Sequence, residues 1–178
     1  AAINDEDLSG AYGELLRAPV AAAEPDMHYK RGVLVLDVAE RRSEDRRAVD
    51  DLLVLKASTG IGTGIIAGGA LQRGAVQAAG ELGHNKTPAA AGLPCRCGDT
   101  GCLEAIAGGW ALVAELDREG VNHVRVLVQL AHDGDADARR MIRDSGRHIG
   151  EVLAAAVNLL NPAMLVVAGD MARAYDIF

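Results

Sequence analysis

Gly80-Glu81-Leu82-Gly83-His84, ten further residues, then Cys95-Arg96-Cys97-Gly98-Asp99-Thr100-Gly101-Cys102-Leu103-Glu104: this stretch decides the reading of the chain. All three cysteines of the 178 residues lie inside it. An odd number, two of them one residue apart, is a poor disulfide framework. Zinc takes four soft or borderline ligands in a tetrahedron, and three Cys with one His is a common closed set. His84, Cys95, Cys97 and Cys102 supply that set, the alternative being three unrelated thiols and a surface histidine. Gly98 and Gly101 stand where a tight turn must bring Cys102 back beside Cys97. A closed set leaves no position for an activated water, so the metal is expected to be structural. Its expected task is to hold the loops that carry Glu81 and Glu104.

Upstream, Leu52 to Ala57 reads as an apolar strand broken only by Lys56. Ser58-Thr59-Gly60-Ile61-Gly62-Thr63-Gly64 follows, then Ile65-Ile66-Ala67 and the turn Gly68-Gly69, so the pattern is a hairpin and not a βαβ unit. Glycines let backbone N–H groups approach an anion, and Thr59 and Thr63 add hydroxyl donors, as in a phosphate cradle. The stretch lacks the lysine of a P-loop and no helix follows it, so a ligand-free glycine-rich hairpin is an equal alternative. A further short strand is expected at Leu71 to Gly74.

Downstream, Leu103 to Leu116 and Val121 to His132 read as helices. Asp135 to Leu160 reads as a long amphipathic helix, with Ala138, Met141, Ile142, Ile149, Leu153, Val157 and Leu160 at three- and four-residue spacings. Asn161-Pro162 stops it, and Met164 to Ala168 is a buried strand turned by Gly169. Near the start, a helix is expected from Asp7 to Arg17 and a strand from Gly32 to Asp37. The mixed charges of Glu40 to Arg47 describe a solvated helix or loop.

Aromatics are only 3% of the sequence, so the core must be built from Ala, Val, Leu and Ile. A net charge of −7 argues against the chain as a whole binding nucleic acid. No apolar run approaches the roughly 18 residues of a membrane span and no signal-peptide pattern opens the chain, which points to the cytoplasm. The start at Ala1, directly before a motif, suggests a trimmed fragment.

Several motifs stand in one order: Asn4-Asp5, Thr59 to Gly64, Gly80 to His84, Cys95 to Glu104, Asn161-Pro162 and Val166 to Gly169. In this order they resemble the ROK family of bacterial sugar kinases and sugar-responsive transcriptional repressors, over nearly all of the chain except about residues 19–50. The stretch from Glu81 to Glu104 is the specific part. The resemblance implies an α/β protein of the actin-like ATPase, ribonuclease H-like sugar-kinase fold, mainly its C-terminal half. Residues 1–50 would form the end of an N-terminal lobe and a connection, and 51–178 the C-terminal lobe with phosphate hairpin, zinc loop and long helices.

The resemblance also implies roles. Asn4 would bind a sugar hydroxyl and Asp5 would be the general base of phosphoryl transfer, although an isolated Asn-Asp is also a helix cap. Glu81, His84 and Glu104 match further sugar contacts, His84 ligating zinc through one ring nitrogen and facing the sugar with the other. Thr59, Gly60, Gly62, Thr63 and Gly64 match the second phosphate loop, and Gly169 the adenosine motif. ATP and Mg(2+) would be needed only by a kinase.

The sequence departs from the kinases at two places. The Asp-x-Gly-x-Thr loop that precedes the Asn-Asp pair in kinases has no counterpart here; Asp37 to Arg41 lacks its Gly and Thr. Asp170 stands where kinases have a glycine, which weakens the expectation of nucleotide binding. The balance favours the sugar- or amino-sugar-binding effector domain of a ROK-type regulator, meeting DNA only through an upstream segment, and forming a homodimer or tetramer. The alternative is an ATP-dependent hexose or N-acetylhexosamine kinase with Asp5 as base.

Overall fold

Strand β3 (Leu52–Ala57) is sandwiched in a four-stranded sheet, and its sequence explains why. Leu53, Val54 and Leu55 are all buried, so both of its faces are covered, as the continuous apolar run requires. The computed structural model describes residues 27–30 and 33–36 as backbone, and residues 50–174 and 176–178 in full. The expected helix at Asp7 to Arg17, the charged stretch at Glu40 to Arg47, and Asn4 and Asp5 lie outside the described residues. Ahead of the sheet, β1 (Met27–Lys30) pairs antiparallel with β2 (Val33–Leu36), the latter inside the stretch expected as a strand.

The sheet order is β5-β4-β3-β6. Strand β4 (Ile61–Ala67) returns antiparallel to β3 with Ala57 opposite Ile61, and a two-residue β5 (Ala70–Leu71) extends it. Strand β6 (Met164–Ala168) lies parallel to β3, Leu52 opposite Met164. A parallel neighbour demands a crossover, and the helices between residues 104 and 160 provide it.

The expected helix from Leu103 to Leu116 is two helices, α1 (Glu104–Ala107) and α2 (Gly109–Leu116). Gly108 is extended, with ψ of 143°, and the Gly109 N–H turns from the helix to the Ser58 carbonyl at 2.9 Å. The expected helix from Val121 begins three residues later as α3 (Val124–His132), because the His123 side chain caps it, Nδ1 accepting from the Arg125 N–H at 3.1 Å. Helix α4 (Ala136–Leu160) starts at an Asp135 cap that accepts from the Ala138 N–H at 2.9 Å. It ends at Asn161, which is left-handed with φ of 46°.

Ala138, Met141, Ile142, Ile149 and Leu153 of α4 pack into one core with Leu53 and Leu55 of β3, Leu127 of α3 and Met171. Ser145 is the polar residue of that stripe, and its hydroxyl donates to the Ala107 carbonyl at 2.8 Å. Among the described residues no helix is long and apolar enough to cross a membrane.

Candidate functional site

The cysteine loop is a short ribbon folded over a tight turn. Bridges pair Lys86 with Cys102 and Pro94 with Thr100. The turn between them is closed by the Cys95 N–H on the Asp99 carbonyl at 2.7 Å and the Gly98 N–H on the Cys95 carbonyl at 3.0 Å. Gly98 and Gly101 have φ of 92° and 80°, the left-handed geometry that glycine tolerates. One ligand atom from each of His84, Cys95, Cys97 and Cys102 lies within 4.8 Å of all the others. Cys97 Sγ is 3.7 Å from Cys102 Sγ, and Cys95 Sγ is 3.8 Å from His84 Nδ1. A zinc–sulfur bond of about 2.3 Å gives a tetrahedron edge of about 3.8 Å, which these two separations match, so the donor types and spacing of the set fit a zinc ion.

The thiols of the set differ in their readiness to ionise. Burial pushes the Cys95 thiol up to about 11, whereas the hydrogen bond from the Asp99 backbone lowers that of exposed Cys97. A metal ion would hold all three sulfurs as thiolates. Three thiolates around one divalent cation leave a net negative charge, and the Lys86 ammonium stands 3.4 Å from Cys102 Sγ to offset it. That ammonium is fixed by the Asp99 carboxylate at 2.6 Å and the Thr100 carbonyl at 2.5 Å, and its pKa is raised mainly by the bond to Asp99. Lys86 lies inside the His-to-Cys window, so its place beside the sulfurs could have been anticipated from spacing.

One of the four, His84, lies beside a carboxylate named from the sequence. His84 sits on a single 3-10 turn (Leu82–His84) that begins after Glu81. With Nδ1 on the cysteine side, its Nε2 points to Glu81 Oε2 at 3.7 Å. Glu104 opens α1, and its Oε2 accepts the Ile61 N–H at 2.8 Å while Oε1 accepts the indole N–H of Trp110 at 3.1 Å. A Cβ on Gly60 would come within 2.7 Å of Glu104 Oε2, and one on Gly83 within 2.4 Å of the Ile61 carbonyl. The turn of Glu81 and His84, the tip of the glycine-rich hairpin and Glu104 are thereby pressed into one place. The guanidinium of Arg96 lies 4.6 Å above the ring of Trp110 and joins the cysteine loop to α2.

The glycine-rich hairpin differs from its expected form. Only residues 58–60 make the turn; Ile61 to Gly64 belong to β4, where Gly62 is paired with Lys56 and Gly64 with Val54. The reason is tertiary: Ile61 to Gly64 pair along β3, and the Thr63 N–H and hydroxyl both donate to the Gly80 carbonyl, each at 2.8 Å. Thr63 is buried, while Thr59 is exposed and its hydroxyl stands 3.4 Å from His123 Nε2. Gly169 has φ of 99°, and a Cβ there would meet the Ala57 carbonyl at 2.3 Å, so backbone packing alone requires glycine.

A charged cluster that the sequence did not disclose closes the hairpin tip. The Ser58 hydroxyl donates to Asp170 Oδ2 at 2.6 Å and Arg125 Nε donates to Oδ1 at 3.0 Å. Burial works to raise the Asp170 pKa, but the Ser58 and Arg125 hydrogen bonds outweigh it and hold the carboxyl below its ordinary value. Asp170 stood out as a departure, whereas Arg125 and His123 arrive from the start of α3 with no local signal.

A mixed sheet, a long crossover helix and a Cys/His loop against a glycine-rich hairpin define an α/β protein of the actin-like sugar-kinase fold. The chain belongs to the ROK family, which residues 20–178 match. It is 32% identical over 150 residues to the DNA-binding transcriptional dual regulator NagC of Escherichia coli K12, covering 78% of this chain and 37% of NagC. It is also 32% identical over 142 residues to a glucokinase of Halalkalibacterium halodurans, covering 71% of this chain and 43% of the enzyme. Among solved structures, a ROK hexokinase from Thermus thermophilus superposes with a TM-score of 0.60 at 36% identity, covering 71% of this chain and 43% of the hexokinase. The relatives thus include both repressors and kinases, and the chain spans less than half the length of each of these three.

Proposed function

We propose that this chain is the sugar-binding effector part of a ROK-type transcriptional regulator, with a structural zinc on His84, Cys95, Cys97 and Cys102. The observation that carries the reading is the Asp170 carboxylate, held between Ser58 and Arg125 at the tip of the hairpin. Arg125 offsets the charge of this carboxylate, and the guanidinium and the Ser58 hydroxyl proton are both already engaged by it, which withdraws them from the phosphates of a nucleotide. Glu81, His84 and Glu104, with Asn4 and Asp5, would contact a sugar or amino sugar. The zinc would orient His84 and the loop around it.

Sugar binding would favour one arrangement of the protein over another and so change how a dimer presents DNA-binding segments carried elsewhere. The test is ADP release with MgATP and a panel of hexoses and N-acetylhexosamines, beside calorimetric sugar binding and an Asp5→Asn variant. Sugar binding without turnover is the expected result. Sugar-dependent turnover that vanishes in Asp5→Asn would make the protein a kinase and overturn the reading.

A further inference from the structure

We infer that Arg96 and Trp110 are positioning residues through which the Cys/His loop sets the orientation of the Glu104 carboxylate. Arg96 stands between two of the four clustered residues, Cys95 and Cys97, so its backbone is pinned on both sides when their sulfurs share a metal. Its guanidinium lies over the Trp110 ring at 4.6 Å, a stacking geometry that favours a defined indole orientation. The indole Nε1–H, a donor with no acceptor role, points to Glu104 Oε1 at 3.1 Å. The second carboxylate oxygen is held by the Ile61 N–H at 2.8 Å, so both oxygens are fixed in direction and their remaining lone pairs are presented in a set geometry.

The surrounding backbone is arranged to permit this contact. Gly108 separates α1 from α2, and a Cβ on it would fall 2.7 Å from Glu104 Cγ and 3.3 Å from Trp110 Nε1. The Trp110 N–H is itself anchored on the Thr59 carbonyl at 3.0 Å, which ties the start of α2 to the hairpin tip. Arg96 is exposed and Trp110 is only half-buried, so neither is a core residue whose replacement would unfold the domain. The path from metal loop to carboxylate is therefore two side chains long.

Trp110 is the single tryptophan of the sequence, so its emission is read without a contribution from another indole. The experiment compares the zinc-loaded full chain with Arg96→Ala and Trp110→Phe. It measures zinc per chain, indole emission before and after chelation, and calorimetric binding of glucose and N-acetylglucosamine. The parent protein should shift its emission when zinc is removed. Arg96→Ala should keep its zinc and lose that shift.

Trp110→Phe should keep its zinc and bind sugar roughly tenfold more weakly, the expected effect of losing a hydrogen bond to a charged group. An Arg96→Ala protein with the full emission shift, or a Trp110→Phe protein with unchanged affinity, would overturn the inference. The binding arm rests on the proposed sugar contact of Glu104. If the parent protein binds neither sugar, that reading fails, and the emission arm alone decides the coupling. Should Arg96→Ala fail to hold zinc, Arg96→Lys replaces it, a cation without the planar stacking face.

Discussion

The cysteine loop and the glycine-rich hairpin are both short, both rich in glycine, and use that residue for opposite reasons. In the loop, Gly98 has a left-handed φ of 92° and a Cβ added to it would meet nothing within 4 Å, so glycine serves the dihedral angle. In the hairpin, Gly60 has no left-handed angle, but its Cβ would press to 2.7 Å from Glu104 Oε2, and Gly83 of the turn packed against it would press to 2.4 Å from the Ile61 carbonyl, so glycine serves space. The loop frees its side chains to converge on a point. The hairpin lets backbones and the Glu104 carboxylate approach one another, with much of its hydrogen bonding already satisfied internally.

The largest test of this contrast removes a loop sulfur. Cys97→Ser should lower zinc affinity on the order of 100-fold or more and lose sugar binding with it. Metal analysis and calorimetry on the same sample read both, and full sugar affinity without metal would break the link between loop and pocket. Next, Gly83→Ala should destabilise the fold by about 2–4 kcal/mol through the clash with the backbone. Gly98→Asn, at a left-handed position in open space, should cost less than about 1 kcal/mol. Urea unfolding of the two variants measures the difference, and equal losses would erase the distinction.

A smaller effect is expected at Lys86, whose ammonium neighbours Cys102 Sγ. Lys86→Met should weaken zinc binding about tenfold in a competition with a chromophoric chelator, while the fold is retained. The smallest is a pH effect at the hairpin tip. Because the folded Asp170 carboxyl lies below its ordinary value, its bonds add stability at neutral pH and that increment disappears as the pH falls through the folded value. The melting temperature of Asp170→Asn should therefore trail the parent at neutral pH by an amount worth less than about 1 kcal/mol, and the gap should narrow as the pH falls below the ordinary carboxylate range.

How much is legible in the sequence follows the same division. His84, Cys95, Cys97 and Cys102 are recognisable because a metal set depends on residue type and spacing within one short segment. The long α4 and the strands β3 and β4 are legible because burial imposes a pattern on the sequence. The break at Gly108 is not, since its cause is the Ser58 carbonyl on a distant strand capturing the Gly109 N–H. The extent of β4 escapes for the same kind of reason, Ile61 to Gly64 being held by pairing with β3 and by the Gly80 carbonyl on Thr63. The Ser58–Asp170–Arg125 cluster gathers residues from three separate elements, and no local pattern marks such a meeting.

The parallel pairing of β3 with β6 also bears on how the molecule is made. Leu52 cannot meet Met164 until the whole helical crossover has been synthesised, so the central strand must wait with one edge uncovered while the chain emerges. The β3–β4 hairpin and the cysteine loop can close locally and early, whereas the sheet is completed by a contact between distant parts of the chain, which slows folding. During that interval the backbone edge of Leu53 to Leu55 lacks the hydrogen-bonding partner that β6 later supplies.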